Sequence, residues 1–307
     1  MLVIGPLASR RKVIQVKLET DRGTAVTPDL PALAFDPVIN LAAPFIGRRP
    51  LGASGGSIAG IIGERIGTIS FRLEMRGSGS TTTFDAALAA LLQCCGFKLA
   101  TGVYKPCNPA DQLTCTISFH EDGLLKTLSG CAGNVVLSGE YGKACYATFN
   151  LQGIWTAPTD VALPAVTHNA TMPPRVAGCT FTLDARTPKI GSFSLDMGGQ
   201  VAPREDVNAA TGILHFYVAD RVPALTLSPE METVATYDWF GKHADGTTLA
   251  FSIRVGASAN NKFTIAAPAV QIRSINEGER AGKASNDIEG LCCTGAAGDD
   301  EVSLTPA

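Results

Sequence analysis

The most regular pattern in the chain is an alternation of apolar and polar residues over positions 66–76. The apolar positions of this stretch are Gly67, Ile69, Phe71, Leu73 and Met75. A period of two is typical of a strand with one buried face. The 32 glycines and 18 prolines among 307 residues also favour strands and turns over helical bundles. This length predicts about two domains, each with a modest core, so we expect a mainly β chain.

Charge and hydropathy weigh against several functional classes. The formal net charge is −3, and residues 1–157 carry +3 while residues 158–307 carry −6. A protein that grips nucleic acid needs a basic surface, which the whole-chain charge does not offer. No apolar run approaches the roughly 18 residues of a membrane span. The first twelve residues place Arg10, Arg11 and Lys12 after the apolar stretch, the reverse of a secretory signal.

The nine cysteines form no recognisable metal or disulfide pattern. Cys94-Cys95 and Cys292-Cys293 are adjacent pairs, and no C-x-x-C spacing occurs. Zinc sites need ligand pairs at characteristic spacing, and adjacent cysteines do not easily bridge each other. We therefore predict reduced cysteines that serve as small buried residues, which points to folding in the cytoplasm.

The first half reads as strands around one helix and a long excursion. Thr83 is the predicted helix cap, the apolar stripe runs from Ala87 to Cys95, and Gly96 ends the helix. Glu121-Asp122-Gly123 predicts a hairpin turn. Strands are expected at residues 13–18, 66–76, 113–120, 124–128, 134–137 and 144–155.

Residues 24–63 have little periodicity and contain five prolines and a glycine cluster. Such a long segment without secondary structure is unusual inside a compact domain and is usually functional or disordered. This one carries apolar residues that a solvated linker would not hold: Phe45, Ile46, Ile58, Ile61 and Ile62. We interpret it as an arm that awaits a partner.

The second half repeats the style of the first after a proline-rich linker at residues 158–174. Strands are expected at residues 179–183, 190–197, 213–227, 248–255 and 263–275, with a weaker helix at 230–242. Residues 65–70 and 189–194 are similar, which favours a duplication. We therefore predict two domains, residues 1–157 with the arm at 24–63 and residues 158–307, the latter ending in a loose acidic C-terminus.

Candidate catalytic groups are few. Ser54 lies in a G-x-S-x-G pattern, but neither the strand nor the helix of a nucleophile elbow flanks it. The four histidines show no metal-ligand spacing, and the carboxylate pairs Glu205-Asp206 and Asp299-Asp300 read as loop charges. We predict no catalytic residue, no metal ligand and no cofactor, and a serine hydrolase remains the weakest alternative.

Twin β-rich halves with an apolar arm are suited to binding copies of the same chain. In a head-to-tail ring each subunit presents one face to a different face of the next subunit. With two similar domains per chain, three chains would fill six near-equivalent positions. An arm that leaves the ring plane could then dock on a neighbouring ring. The alternative is a monomeric surface β-sandwich module that binds carbohydrate through exposed aromatic residues.

Several segments resemble the tail tube (major tail) proteins of long-tailed bacteriophages. Residues 16–26 are similar to a K-x-E-T-x-x-G-T segment of that family, and residues 67–76, 91–96 and 121–134 also match. In the second half, residues 196–210, 221–223 and 228–230 are similar to family stretches. The resemblance covers nearly the whole chain as loose patterns.

The resemblance implies a virion structural protein whose stacked rings form a channel for double-stranded DNA, which passes without specific binding. It implies two tail-tube-like β-sandwich or barrel domains, each flanked by a helix, with a long inter-ring loop. Expected partners are the chain itself, as homotrimeric pseudo-hexameric rings or alternatively homohexamers, and the tape measure, terminator and distal tail proteins. Expected localisation is the virion tail, assembled in the host cytoplasm, with no membrane. The expected inter-ring contacts are Phe45, Ile46, Arg48, Arg49, Leu51, Ile58, Ile61 and Ile62.

Overall fold

A computed structural model describes residues 10–52, 56–295 and 298–307. Strands predominate in this part of the chain, which confirms the prediction of a mainly β fold. The elements up to residue 160 are β1 Lys12–Leu18, β2 Leu30–Ala32, β3 Phe35–Ala42, β4 Phe45–Ile46, β5 Ile61–Ile62, β6 Ile66–Glu74, α1 Ala86–Cys94, β7 Phe97–Ala100, β8 Val103–Pro106, β9 Cys115–Glu121, β10 Leu124–Glu140, β11 Tyr146–Trp155 and β12 Thr159–Asp160. The later elements are β13 Thr180–Leu183, β14 Ile190–Asp196, β15 Gln200–Glu205, β16 Ile213–Asp220, β17 Ala224–Pro229, α2 Trp239–Ala244, β18 Thr248–Val255, β19 Phe263–Arg280, β20 Lys283–Cys292 and β21 Ser303–Pro306.

Eight antiparallel strands from both halves form one continuous layer of the barrel-like sheet. Their spatial order is β3, β6, β11, β10, β14, β17, β20 and β19. β10 and β14 form the seam between the halves, with Val136 opposite Asp196 and Ser138 opposite Ser194. The two halves therefore share one sheet rather than only a linker.

A second layer covers the inner face of these eight strands. β2, β1 and β9 extend the sheet from the first part of β10, and α1 packs against β1 and β2. In the second half, β18 and β13 extend from β19, and α2 packs against β19. One apolar core runs between the layers through both halves, and its largest fully buried side chains include Phe71, Phe149, Phe251 and Phe263.

Local sequence signals placed several first-half elements correctly. The inner positions of β6, Ile69, Phe71 and Leu73, are buried, as the alternation predicted. Asp122 and Gly123 both have positive φ and join β9 to β10 by a two-residue turn. The helix is present, but its N-cap is Asp85 and not Thr83, so that prediction was wrong by two residues.

The first part of the predicted arm belongs to the sheet. β2 pairs with β1, and β3 pairs with β6, so the part of the arm that leaves this sheet is residues 43–52 and 56–63 among the described residues. Pro37 hides β3 from pattern analysis, since proline is rare inside sheets. It is tolerated here because the β3–β6 register shifts between Phe35 and Val38, where Pro37 lies in an irregularity.

Three second-half predictions were wrong. The stretch 213–227 is two strands, β16 and β17, which lie in different sheets. The helix predicted over 230–242 is the six-residue α2, whose N-cap Asp238 accepts a hydrogen bond from the Gly241 N–H. The C-terminus is not loose, because β21 pairs with β19 and Leu304 is fully buried. The errors at the helix and at the C-terminus share a cause: distant segments of the chain decide the outcome.

The strand–ribbon–strand unit at residues 36–74 recurs at a constant offset of 156 residues. β3 and β6 correspond to β14 and β17: the pair Val38–Ser70 becomes Ser194–Thr226, and Asn40–Thr68 becomes Asp196–Ala224. Between them, β4–β5 and β15–β16 each form a separate two-stranded ribbon. The similarity of residues 65–70 to 189–194 therefore joins non-equivalent strands, β6 and β14. The domain division at residue 157 stays a prediction.

Candidate self-association site

We call the β4–β5 hairpin ribbon 1. Phe45 lies opposite Ile62, and Ile46 lies opposite Ile61. The Gly63 N–H donates to the Pro44 carbonyl at 2.8 Å, which extends the ribbon toward its base. The ring of Phe45 lies over Gly60, where a Cβ would clash with it. The missing side chain of Gly60 thus lets the Phe45 ring pack across the ribbon.

The base of ribbon 1 is fixed to the sheet by Trp155. Its indole N–H donates to the Ala42 carbonyl at 2.7 Å, at the point where β3 ends. The Arg65 guanidinium lies over the same indole, 5.2 Å from the ring centroid. Residues on both sides of the ribbon are therefore held at one place, and the ribbon leaves the sheet in a defined position.

Ribbon 1 exposes apolar side chains on both of its faces. Phe45 is 69% exposed and its partner Ile62 61%, while Ile46 and Ile61 on the other face are about half exposed. Apolar residues arranged in one exposed patch mark interaction surfaces. The structure thus brings together four of the eight residues predicted for inter-ring contact.

The other four predicted contact residues lie in the loop beyond the ribbon. Arg48, Arg49, Leu51 and Ile58 are exposed, and Leu51 is fully so. Ser54, the residue of the hydrolase alternative, lies outside the described residues. The assignment of these eight residues to inter-ring contact stays a prediction.

We call the β15–β16 hairpin ribbon 2, and sequence reasoning missed it. Unlike ribbon 1, it is packed on its own chain: Ile213 and Phe216 are buried against Ala132, Ile154 and Ile66 of the first half. The Gln112 side chain binds the backbone of β16 in both directions, donating to the Val218 carbonyl and accepting from the Val218 N–H, each at 2.9 Å.

Glu19 organises the first-half surface against which ribbon 2 packs. Its buried carboxylate accepts hydrogen bonds from the N–H groups of Gly23 and Gly130, both at 2.8 Å, and from the hydroxyls of Thr114 and Thr116. A Cβ on Gly23 would clash with the Leu214 carbonyl of β16. The segment at residues 16–26 that carries the family resemblance is thus a joint between the two halves.

The eight-stranded layer ends in two open edges. Among the described strands, β3 pairs only with β6, and residues 274–280 of β19 pair only with β20. An unpaired edge offers N–H and carbonyl groups to another chain. Because the layer has eight antiparallel strands, β19 of one copy beside β3 of the next would continue the alternation as an antiparallel pair.

The outward face of this layer is polar and mildly acidic. Small polar side chains are common on it, namely Asn150, Asn134, Ser194, Thr226 and Ser274, and Glu289 of β20 lies between the last two. Carboxylates outnumber basic groups on these strands, and Arg72 is paired with Asp36 at 2.7 Å. A shallow depression of about 350 Å³ lies on this face, lined by residues that include Arg72, Ser138, Ser194 and Thr226.

Reactive groups in the described part of the chain have structural roles. All nine cysteines are free thiols and seven are buried, which confirms their predicted use as core residues. Burial raises the pKa of Cys107 to about 11 and that of Cys292 to about 12, so these thiols stay protonated. Burial also lowers the pKa of His120 and of His215, which keeps both imidazoles neutral.

Three of the four carboxylates that sequence analysis singled out bind the backbone or an arginine. Asp206 and Asp300 each accept a backbone N–H group. Asp299 pairs with Arg221, as does the neighbouring Glu301. Arg221 lies between β16 and β17 and thereby holds the C-terminal segment against the connection between these two strands. No group of three metal-binding side chains occurs among the described residues, and no helix in them is long and apolar enough to cross a membrane.

Open strand edges and an exposed apolar ribbon are features of a protein that associates with other chains. A sequence profile of the phage tail tube proteins matches residues 9–291, nearly the whole chain. The chain therefore belongs to the phage tail tube protein family, as the resemblance predicted. A search of curated proteins gave no match.

Proposed function

We propose that this protein closes head-to-tail into rings of three chains, and that the rings stack into a tube through which double-stranded DNA passes into the host. The observation that supports this most strongly is the β10–β14 seam. In this seam the last strand of the first repeat pairs with the first strand of the second repeat. A ring needs the same kind of contact between neighbouring chains. The family supports a tail tube role, and the tape measure, terminator and distal tail proteins would meet this tube.

The internal seam supplies a register for the seam between chains. β14 corresponds to β3 at the offset of 156. In the same way β11 corresponds to β20 and β10 to β19, and the last part of β10 matches residues 274–280 of β19 at an offset of 140. The pair Glu140–Ser192 then becomes Arg280 opposite Asp36 of the next chain, and Ser138–Ser194 becomes Gly278 opposite Val38. The Arg280–Asp36 pair joins opposite charges, which are favourable cross-strand neighbours.

Two repeats per chain favour three chains over six in a ring. The repeat β3, β6, β11, β10 is followed in the same layer by β14, β17, β20, β19, so three chains supply six repeats. A heterologous contact of this kind closes when its rotation divides a full turn.

We assign the polar outward face of the eight-stranded layer to the wall of the channel. DNA carries a phosphate charge about every 1.7 Å along its axis, so a basic wall would hold it. A wall of Asn, Ser and Thr side chains with a small excess of carboxylates lets it slide. The apolar core side of the layer is already covered by β1, β9, β18 and the helices.

Electron microscopy of the purified, concentrated chain tests the assembly. Negatively stained images are expected to show rings with a central hole, alone and in stacks. Particles without a hole, or separate compact molecules at every concentration, would contradict the proposal. A carbohydrate-binding monomer is the reading that the second result would favour.

The channel wall can be tested separately with Asn150→Lys combined with Thr226→Lys. Both side chains are exposed on the outward face, and a three-chain ring would gain six positive charges. Assembled tubes of this variant are expected to retain double-stranded DNA in a filter-binding assay at low salt and release it as salt rises. The control, Met172→Lys with Val234→Lys, adds the same charge outside this face. Equal DNA retention by both variants would contradict the assignment.

A further inference from the structure

Ribbon 1 and ribbon 2 are equivalent in register but not in environment. Adding 156 converts the pair Phe45–Ile62 into Val201–Val218 and the pair Ile46–Ile61 into Ala202–Tyr217, both of which occur. Leu51 and Val207, which correspond at this offset, are each fully exposed beyond the ribbon. Yet ribbon 2 has a covered face, with Val218 buried, whereas Ile62 in ribbon 1 is 61% exposed.

Each ribbon also carries one phenyl ring on the corresponding face. In ribbon 2 the ring belongs to Phe216, which lies opposite Pro203. In ribbon 1 the equivalent of Phe216 is Gly60, and the ring of Phe45 from the other strand lies over it. The Phe216 ring is buried against the first half. The matching ring in ribbon 1 has no such cover from the described part of its own chain.

The surface that covers ribbon 2 has a counterpart in the second half. Ribbon 2 packs on Ile66 and Ile154, which are opposite each other on β6 and β11. At the offset of 156, Ile66 becomes Val222, and continuing the β17–β20 register by two residues places Cys293 opposite it. Val222 is 44% exposed and Cys293 half-buried, whereas Ile154 is almost fully buried under ribbon 2.

The charges of the ribbon 1 loop and of the base of ribbon 2 also favour this correspondence. In ribbon 2, Gly212 at the end of the loop lies beside the Glu64 side chain at the base of ribbon 1. The corresponding positions are Gly56 in ribbon 1 and Asp220 at the base of ribbon 2. Arg48 and Arg49 would enter beside exposed Asp220 on a second half whose net charge is −6. A basic loop and an acidic base are complementary.

We propose that ribbon 1 docks on the second half of the adjacent copy in the same ring, over Val222 and Cys293, as ribbon 2 docks on the first half of its own chain. This inference rests on the proposed ring. It divides the predicted arm: Phe45 and Ile62 act within the ring, and the loop that contains Leu51 remains for the neighbouring ring, together with the equivalent loop that contains Val207.

Photo-crosslinking from position 62 separates this arrangement from a purely inter-ring arm. Ile62 is replaced by p-benzoyl-phenylalanine, stacked tubes are irradiated, and the products are separated on a denaturing gel. Crosslinks within a three-chain ring stop at three chains, and their peptides are expected to contain Val222 or Cys293. Crosslinks from ring to ring would give a ladder beyond three chains, and that result would overturn the inference.

A second variant gives an independent readout. Val222→Asp is expected to raise the protein concentration needed for ring formation at least tenfold. The chain should stay folded, because this side chain is exposed in the single chain. Val234→Asp, 64% exposed and outside the docking surface, is the matched control. Normal ring formation by the Val222 variant overturns the docking inference and leaves the proposed rings intact. A parent chain that never forms rings refutes the proposed function itself.

Discussion

The double substitution of Phe45 and Ile62 by serine is expected to abolish ring and tube assembly while leaving the chain folded. Both side chains are largely exposed in the single chain, so their removal costs it little. Burying each at an interface is worth about 1.5–3 kcal/mol, and a three-chain ring contains three such contacts. Size-exclusion chromatography of the variant should show a single chain with parent-like circular dichroism.

The matched control for this experiment is Val234→Ser, which removes an exposed apolar side chain elsewhere. The control should assemble like the parent. Deletion of residues 53–62, which removes part of the loop and one strand of the ribbon, should likewise leave folded single chains. Normal tubes from either ribbon variant would show that ribbon 1 has no part in assembly.

Charge reversal at the seam is expected to have the second largest effect. Arg280→Asp would place a carboxylate opposite Asp36 of the next chain, and like charges across an interface cost several kcal/mol. In the single chain Arg280 lies 3.3 Å from Glu230, and Asp36 pairs with Arg72. Ring formation should therefore require at least tenfold more protein, as measured by sedimentation.

Rescue distinguishes a seam contact from a local disturbance. Combining Arg280→Asp with Asp36→Arg restores opposite charges between chains, and the double variant should regain most of the parent's ring formation. Each single variant also loses an internal ion pair, and the double variant loses both. Recovery of ring formation in the double variant therefore reports on the contact between chains. A double variant that assembles no better than Arg280→Asp would contradict the inferred register.

Sequence patterns were most informative where a local rule dominates. The alternation over β6, the Asp122-Gly123 turn and the apolar stripe of α1 each express a local preference that the fold retains. The apolar residues of ribbon 1 stood out because no helical or strand period explained them. Their exposure agrees with the interpretation as an arm, since a residue with no partner in its own chain keeps its solvent contact.

Patterns were uninformative where distant contacts decide the structure. The acidic C-terminus looked solvated, yet Asp299 and Glu301 both pair with Arg221, and Leu304 is buried in the core. The β16–β17 boundary was a different kind of error. Asp220, Arg221 and Pro223 lie at this boundary, so a local signal for a break was present there and the expectation of one strand over residues 213–227 overlooked it.

The internal repeat was visible only through strand register. At the offset of 156, five residues of the repeat meet identical residues, too few to stand out in a single sequence: Arg48, Ala53, Gly56, Arg65 and Glu74. Paired strands reveal the repeat because hydrogen-bond register is retained when side chains change. Gly23 and Gly130 lie outside the unit that recurs at the offset of 156 and mark only the place where ribbon 2 packs, since they lie against Leu214 and His215.

Sedimentation velocity of the purified chain over a wide range of concentrations tests the central claim most directly, namely that the chain completes its sheet with other copies. The expected result is that the 32.0 kDa single chain gives way to a species of three chains, followed by larger multiples of three. A single 32.0 kDa species at the highest attainable concentration, under conditions where the chain is folded, would contradict the claim.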